Sequence, residues 1–390
     1  MTPLVLTRFL YPKDEAELSL LTDLLKNEDI EIIYYWAYEL YYSGFDIFPL
    51  LWKIYLDFYY VLNPQFESYL KKKHLLWLED RDMKHIAYVL RNMHNLQTNG
   101  LVFIARQWFV SDKVLYPTAI YRFNSGIIPE WLQIYEKKYY NLILSMKNYN
   151  LENILYHLNN LANTCSIYDI ATVIGQYLHI RIHFDTRINT ELHYLIALIS
   201  KELFIVNSSV NNTYIDNNNI IKLHKKHLFV SPKQEHLDRI IHIEEAQIPL
   251  TKYNTVPVYD TLLHKRFTCI DDTIGCFKLA RWHWNTHDDF VREQWFHWEY
   301  YAMGSPLWLN RLKTFGGFVN HSTKKIEFHT EKGEEGFYDL YAYELDELPK
   351  EVQSMTMKPL LNTGDGSLWY QNVFGETITE DIDMMQNWDY

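Results

Sequence analysis

Residues 32–64 read IIYYWAYELYYSGFDIFPLLWKIYLDFYYVLNP and hold eight tyrosines, two tryptophans and three phenylalanines. So much ring surface in one stretch must leave water, which the chain can achieve by crossing a membrane, by covering a partner or by filling a core. A spanning helix needs about 20 consecutive apolar residues, and Glu39, Asp46, Lys53 and Asp57 interrupt the run well short of that. The punctuation is helical instead. Gly44 stands where a C-cap glycine ends one helix, Asp46 can cap the next with Pro49 in its first turn, and Asn63-Pro64 stops it. The stretch therefore predicts a helical hairpin over roughly 30–43 and 47–62. Its tyrosines can bury their rings in a core with hydroxyls at a wet boundary, or the aromatic surplus can mark a partner-binding face.

Apolar spacing extends the pattern to both sides. Leu18, Leu21 and Leu25 recur at helical intervals, Phe66, Tyr69 and Leu70 suggest a short helix, and Ile86, Val89, Leu90 and Met93 another. Further helices are expected over 128–147, 150–162 and 166–179, joined by short polar segments. Antiparallel helices with short connections form bundles or α-solenoids. No repeat of fixed period is present, so no named repeat family is supported. Only 13 glycines in 390 residues argue in the same direction, away from a turn-rich β sandwich.

Beyond residue 180 the pattern mixes. IRIHF, 180–184, is β-prone and ELHYLIALISKEL is helical, while NSSVNNTYIDNNN, 207–219, reads as a polar loop and the best internal boundary. Residues 266–282 could form two short strands. Thr286 with Asp289 can open a helix reaching Ala302. GGFVNHSTKKIEFH, 316–329, has the alternation of a β-hairpin, and a helix near 337–357 follows. The expected fold is mainly α: a helical bundle or solenoid over 1–206, the loop 207–219, a smaller α+β domain over 220–360, and a linker with an acidic aromatic tail over 361–390.

Charge is segregated. The formal net charge is −12, and residues 331–390 carry 14 acids against 3 lysines, so the body before them is close to neutral. Such a balance does not build a broad phosphate-binding face. KKKH at 71–74 (Lys71, Lys72, Lys73) and HKKH at 224–227 (Lys225, Lys226) are short basic patches that could touch an RNA backbone, although solvated faces of that size are common. Three scattered cysteines, Cys165, Cys269 and Cys276, make no disulfide framework, and MTPLVLTRFLYPKDEAE lacks the pattern of a signal peptide. A reducing, cytoplasm-like compartment is expected, without secretion.

The compact motifs of nucleotide binding and hydrolysis (GxGxxG, GxxxxGK[ST], HExxH, GxSxG, CxxC) are all missing. The richest polar cluster is RWHWNTHDDFVREQWFHWEYY, 281–301. His287, Asp288 and His297 could ligate a metal in the manner of a hydrolase acting on a nucleotide or nucleic acid. The simpler reading is a helix start, where Asp288 and Asp289 meet the positive end of the macrodipole. His157, Cys165, His179 and His183 lack the paired spacing of a zinc site, and Asp271-Asp272 beside Cys269 and Cys276 would make those thiols less reactive. No cofactor is expected. In the tail, Phe374, Ile378, Met384, Met385 and Trp388 among carboxylates suit docking into a groove on a partner.

Four segments, WAYELYYSGF (36–45), LLWKIYLDFYY (50–60), NPQFESYLKKK (63–73) and EQWFHWEYYAMGSPLW (293–308), resemble proteins of giant nucleocytoplasmic DNA viruses of the mimivirus type. The Asn, Ile and Tyr bias suits their A+T-rich genomes. The resemblance covers about a quarter of the chain, carries no catalytic motif and assigns no site residue. It implies a virus factory in the host cytoplasm, or the virion. The functional expectation is a non-enzymatic interaction or scaffold protein of a viral assembly, with self-association or a protein partner. The alternatives are the metal-dependent hydrolase and an RNA-contacting accessory factor of viral transcription or translation.

Overall fold

A computed structural model describes residues 4–8, 11–110, 128–184, 191–210 and 297–341. Among them the fold is mainly α, with one small two-stranded sheet near the C-terminal end. The first helices are α1 (Lys13–Leu25), α2 (Ile30–Tyr42) and α3 (Phe48–Ile54), which runs on into a π-helical turn, Tyr55–Tyr59. Then come α4 (Phe66–Asp80), α5 (Lys84–Met93), α6 (Leu101–Val110), α7 (Glu130–Gln133), α8 (Lys137–Lys147), α9 (Leu151–Ala162), α10 (Ile167–Leu178) and α11 (Glu191–Val210). Neighbours pair as antiparallel hairpins: α1 with α2, α4 with α5, α8 with α9. Helix α11 does not stack only on its predecessor but returns to α6 and the π turn. That long-range closure makes a bundle, because solenoid repeats touch only their neighbours.

The expected hairpin is present, with the expected punctuation. Gly44 takes a left-handed φ of 90°, and its N–H and that of Phe45 donate to Tyr41 O and Leu40 O, the paired bonds of a Schellman cap. Asp46 Oδ1 accepts from Phe48 N at 3.0 Å to open α3. The aromatic surplus is core: Tyr34, Tyr35, Tyr38, Trp36, Tyr55, Tyr59 and Tyr60 are all buried. So are two of the charges that exclude a membrane span. Glu39 Oε2 accepts from Arg8 Nε at 2.8 Å with both side chains out of solvent, and Asp57 is buried against Arg106. Among the described residues no helix is long and apolar enough to cross a membrane.

The C-terminal segment shares this core. Helical residues 297–302 lead into α12 (Pro306–Thr314), strands β1 (Gly317–Asn320) and β2 (Lys325–Phe328), and α13 (Glu331–Tyr341). The strands pair antiparallel with Gly317 opposite Phe328 and Asn320 opposite Lys325. Trp298, Tyr301, Trp308, Leu312 and Phe337 join the hydrophobic cluster that contains α1 and α2. Polar contacts fix the seat. Leu6 N donates to Tyr301 O at 3.1 Å, Leu307 N to Ser43 O at 3.2 Å, and Trp308 Nε1 to Arg8 O at 3.1 Å.

Several elements depart from the sequence reading. Helix α6 was not anticipated: LVFIARQWFV is a short apolar run without a distinct polar face. The helix at Phe66 runs for 15 residues, and the expected 128–147 helix is broken between Gln133 and Lys137. Residues 180–184 form no strand, and α11 continues to Val210, into the segment read as a loop. The last helix starts at Glu331, earlier than its apolar pattern suggests, because Thr330 accepts from Gly333 and Glu334 at its head. The readings over 211–296 and 342–390 lie outside the described residues.

Candidate functional site

The most concentrated polar chemistry of the described residues lies inside the bundle, where the π turn meets α6 and α11. A π turn donates each N–H one residue further back than an α-helix, here Tyr60 N to Tyr55 O at 2.9 Å. Loosening the ladder releases carbonyls, and nearby side and main chains use them. Asn99 N donates to Phe58 O at 2.7 Å, and Asn63 Nδ2 donates to Tyr59 O at 3.0 Å and Gln97 O at 2.8 Å. The same asparagine that stops the helix in sequence thus ties the turn to the loop before α6. Asn99 Oδ1 also caps α6 by accepting from Leu101 N at 2.9 Å.

The turn carries Asp57 into the core, where it is completely shielded from solvent. Arg106 of α6 approaches side-on, Nε at 3.0 and 3.1 Å from the two carboxylate oxygens and Nη2 at 2.8 Å from Oδ2. His193 of α11 places Nε2 2.7 Å from Oδ1. Burial pushes the Asp57 carboxyl up, but Arg106 and then His193 outweigh it and hold the acid well below the ordinary carboxylate range. Burial also pushes the His193 imidazole below its ordinary value of 6.5, against the pull of Asp57 and with Arg106 and Lys53 adding to the fall. At neutral pH the imidazole is therefore uncharged, and its Nε2–H donates to a carboxylate that can only accept. An acid so firmly ionised and so fully bonded is a poor proton shuttle or nucleophile. It works as a joint between three elements that lie 49 and 136 residues apart in sequence.

Beside this joint lies a second cluster. Tyr60, at the end of the turn, packs edge-on against Tyr194 with ring centroids 5.7 Å apart, and Tyr194 Oη donates to Glu67 Oε2 of α4 at 3.4 Å. Burial raises the Glu67 carboxyl above its ordinary value, opposed by the hydrogen bond from Tyr194 and by Lys71 and Lys201.

Sequence reasoning named none of the joint's three residues as a site. Asp57 counted only as an interruption of an apolar run, Arg106 sat in an unassigned segment, and His193 was one of 17 histidines. The legible signal was a lone carboxylate and a lone arginine inside otherwise apolar helices, since such charges are rarely buried without a partner.

Of the residues the sequence did single out, His297 faces the hairpin, with Nδ1 3.2 Å from Lys324 O. No group of three or more His, Cys, Asp or Glu able to hold a metal occurs among the described residues, and His287 and Asp288 lie outside them. Lys71 neighbours Glu67, Lys72 is exposed, and Lys73 lies over the rings of Tyr69 and Tyr88 at 5.6 and 4.1 Å. Lys225, Lys226, Phe374, Ile378, Met384, Met385 and Trp388 lie outside the described residues. Cys165 is a free thiol. Burial pushes it up, but hydrogen bonds from Thr164, Tyr139 and Lys138 outweigh that and hold it below the ordinary thiol value.

Among the described residues Tyr168, Ile205, Phe318 and Leu340 are large apolar side chains exposed singly on different elements, whereas three others stand in segments that reach the C-terminal end of α10. Ile134 is 77% exposed, Tyr149 50% and Ile180 44%. Tyr135 Oη donates to Gln176 Oε1 at 2.9 Å, which draws the α7–α8 joint onto this helix end. Tyr149 sits near enough to Tyr177 to add to the upward shift that burial imposes on its phenol. Comparison of the chain with protein-family models, with curated proteins and with solved structures returns no match.

Proposed function

We propose that this chain is a non-enzymatic interaction or scaffold protein and that the edge around the end of α10 is its contact surface. The observation that carries the reading is that Ile134, Tyr149 and Ile180, large apolar side chains 77%, 50% and 44% exposed, stand in segments that reach the end of α10, Ile134 beside Tyr135 on Gln176 and Tyr149 near Tyr177. Scattered exposed apolar residues need no explanation, but a grouped set is what partners cover. The charged groups in the interior support it, since Asp57, Arg106 and His193 are occupied in joining elements. The resemblance of four segments to giant-virus proteins makes a viral assembly in the host cytoplasm the setting we propose. The tail with Phe374, Ile378, Met384, Met385 and Trp388 is the second contact in this proposal, on its sequence alone.

The test is light scattering of the purified full-length chain, run beside cross-linking to its neighbours in infected cells. Substituting Ile134→Asp, Tyr149→Asp and Ile180→Asp together should abolish the association while leaving the helical circular dichroism unchanged. Association that survives the triple substitution, or a wild-type chain that stays monomeric and cross-links to nothing, would sink the reading.

A further inference from the structure

Aromatic rings form a continuous file from the core to the surface along the π turn. Trp52 lies 6.1 Å from Tyr55, Tyr55 5.8 Å from Tyr60, and Tyr60 5.7 Å from Tyr194, centroid to centroid. Phe184 then bridges Tyr194, at 6.3 Å, to Tyr168, at 5.5 Å. Trp52, Tyr55 and Tyr60 are buried, whereas Tyr168 is half exposed. Indole and phenol are the most readily oxidised side chains of this file, and rings in near contact exchange single electrons easily. What distinguishes the members is where a proton can go, because a phenol that loses an electron becomes a strong acid and must shed its O–H proton to persist as a radical.

Tyr55 Oη donates to the backbone carbonyls of Asn63 and Pro64, and a carbonyl oxygen is a very weak base. Tyr60 points its hydroxyl at Tyr194, another phenol. Trp52 Nε1 donates to His74 Nδ1 at 3.2 Å, and among the three phenols only Tyr194 donates to a carboxylate, Glu67, whose carboxyl burial raises and Lys71 and Lys201 lower. We infer that Trp52, Tyr55, Tyr60 and Tyr194 form a one-electron relay that ends in a neutral radical at Tyr194, with Glu67 as proton acceptor. The balance is simple. A diffusible one-electron oxidant gains one electron, Tyr194 loses that electron, and its Oη–H bond breaks with the proton passing to Glu67 Oε2. A one-electron donor such as a thiolate returns the electron, and Glu67 returns the proton. The relay draws an oxidising equivalent out of the core before Trp52 is damaged.

The experiment oxidises the intact chain with photogenerated tris(bipyridine)ruthenium(III) in the presence of a nitroso spin trap. Adducts and tryptophan oxidation products are then mapped by mass spectrometry. The adduct should concentrate at Tyr194, above the comparably half-buried Tyr140 and Tyr177. Glu67→Gln should abolish that excess. Tyr194→Phe, which removes one hydroxyl and keeps the packing, should shift damage to ring-opened Trp52. Labelling of Tyr194 no greater than that of Tyr140 overturns the inference. So does an excess that survives Glu67→Gln, or a Trp52 that stays intact in Tyr194→Phe.

Discussion

Asp57 shows how much a single buried charge can require of its surroundings. Its carboxylate is ionised in a place water does not reach, which is tolerable only because Arg106 and His193 meet it with donors. Removing the acid takes from the buried Arg106 guanidinium the carboxylate that meets its Nε and Nη2. Asp57→Ala should therefore cost about 3–5 kcal/mol, the range for breaking a buried pair by deleting one partner, measured by urea denaturation of the full chain. The same joint sets an acid limit. Both Asp57 and His193 have folded-state values below their ordinary ones, 3.8 and 6.5, so the unfolded chain binds more protons and stability falls as pH falls. The loss contributed by His193 begins as pH drops below about 6.5, and that of Asp57 follows below about 4. In Asp57→Ala, which leaves His193 beside Arg106 without the pull of the carboxylate, the midpoint should fall more steeply than in wild type between pH 6.5 and 4 and less steeply below about 4. An unchanged pH profile would show that the joint is not what titrates.

Between residues and fold, the elements differ in how openly the sequence announces them. The hairpin over 30–62 was readable because its caps are local: Gly44, Asp46 and Asn63 act on backbone groups within a few positions. The π turn was not readable, since nothing in YLDFY distinguishes it from α-helix. It is fixed from outside, by Asn99 on one released carbonyl and Arg106 on Asp57. Gly44 belongs to both levels. Its left-handed φ marks a cap, and a Cβ there would lie 2.8 Å from Pro306 Cβ at the start of α12. Gly44→Ala should cost about 1–3 kcal/mol from backbone strain alone, with further loss as α12 is pushed away. Hydrogen exchange should show faster opening in both α2 and α12. Protection lost in α2 alone would mean that the close approach carries no energy. The scarcity of glycine has its own consequence, since Asn27, Arg81, Tyr149 and His179 close helices or turns at positive φ without it.

At the scale of the molecule, a C-terminal segment completes the core of an N-terminal one. Trp308 is 2% exposed, and its indole N–H reaches back three hundred residues to Arg8 O. Arg8 in turn holds Glu39 of α2. Trp308→Ala should cost about 3–5 kcal/mol, and amide protection should fall in α1 and α2 as well as in α12. Loss confined to residues 297–341 would mean that the two ends of the chain fold independently. By itself the sequence determined the mainly helical class, the hairpin with its caps, the β-hairpin over 316–329 and the exclusion of a membrane span by 32–64. All of these follow from periodicity, turn chemistry and charge spacing within a few residues. Only the tertiary structure decided that the aromatic surplus faces inward, that α11 closes a bundle, and that Asp57, Arg106 and His193 meet. The physical reason is range: a cap or an amphipathic stripe acts over one or two helical turns, whereas a buried charge finds its partner through the whole packed chain.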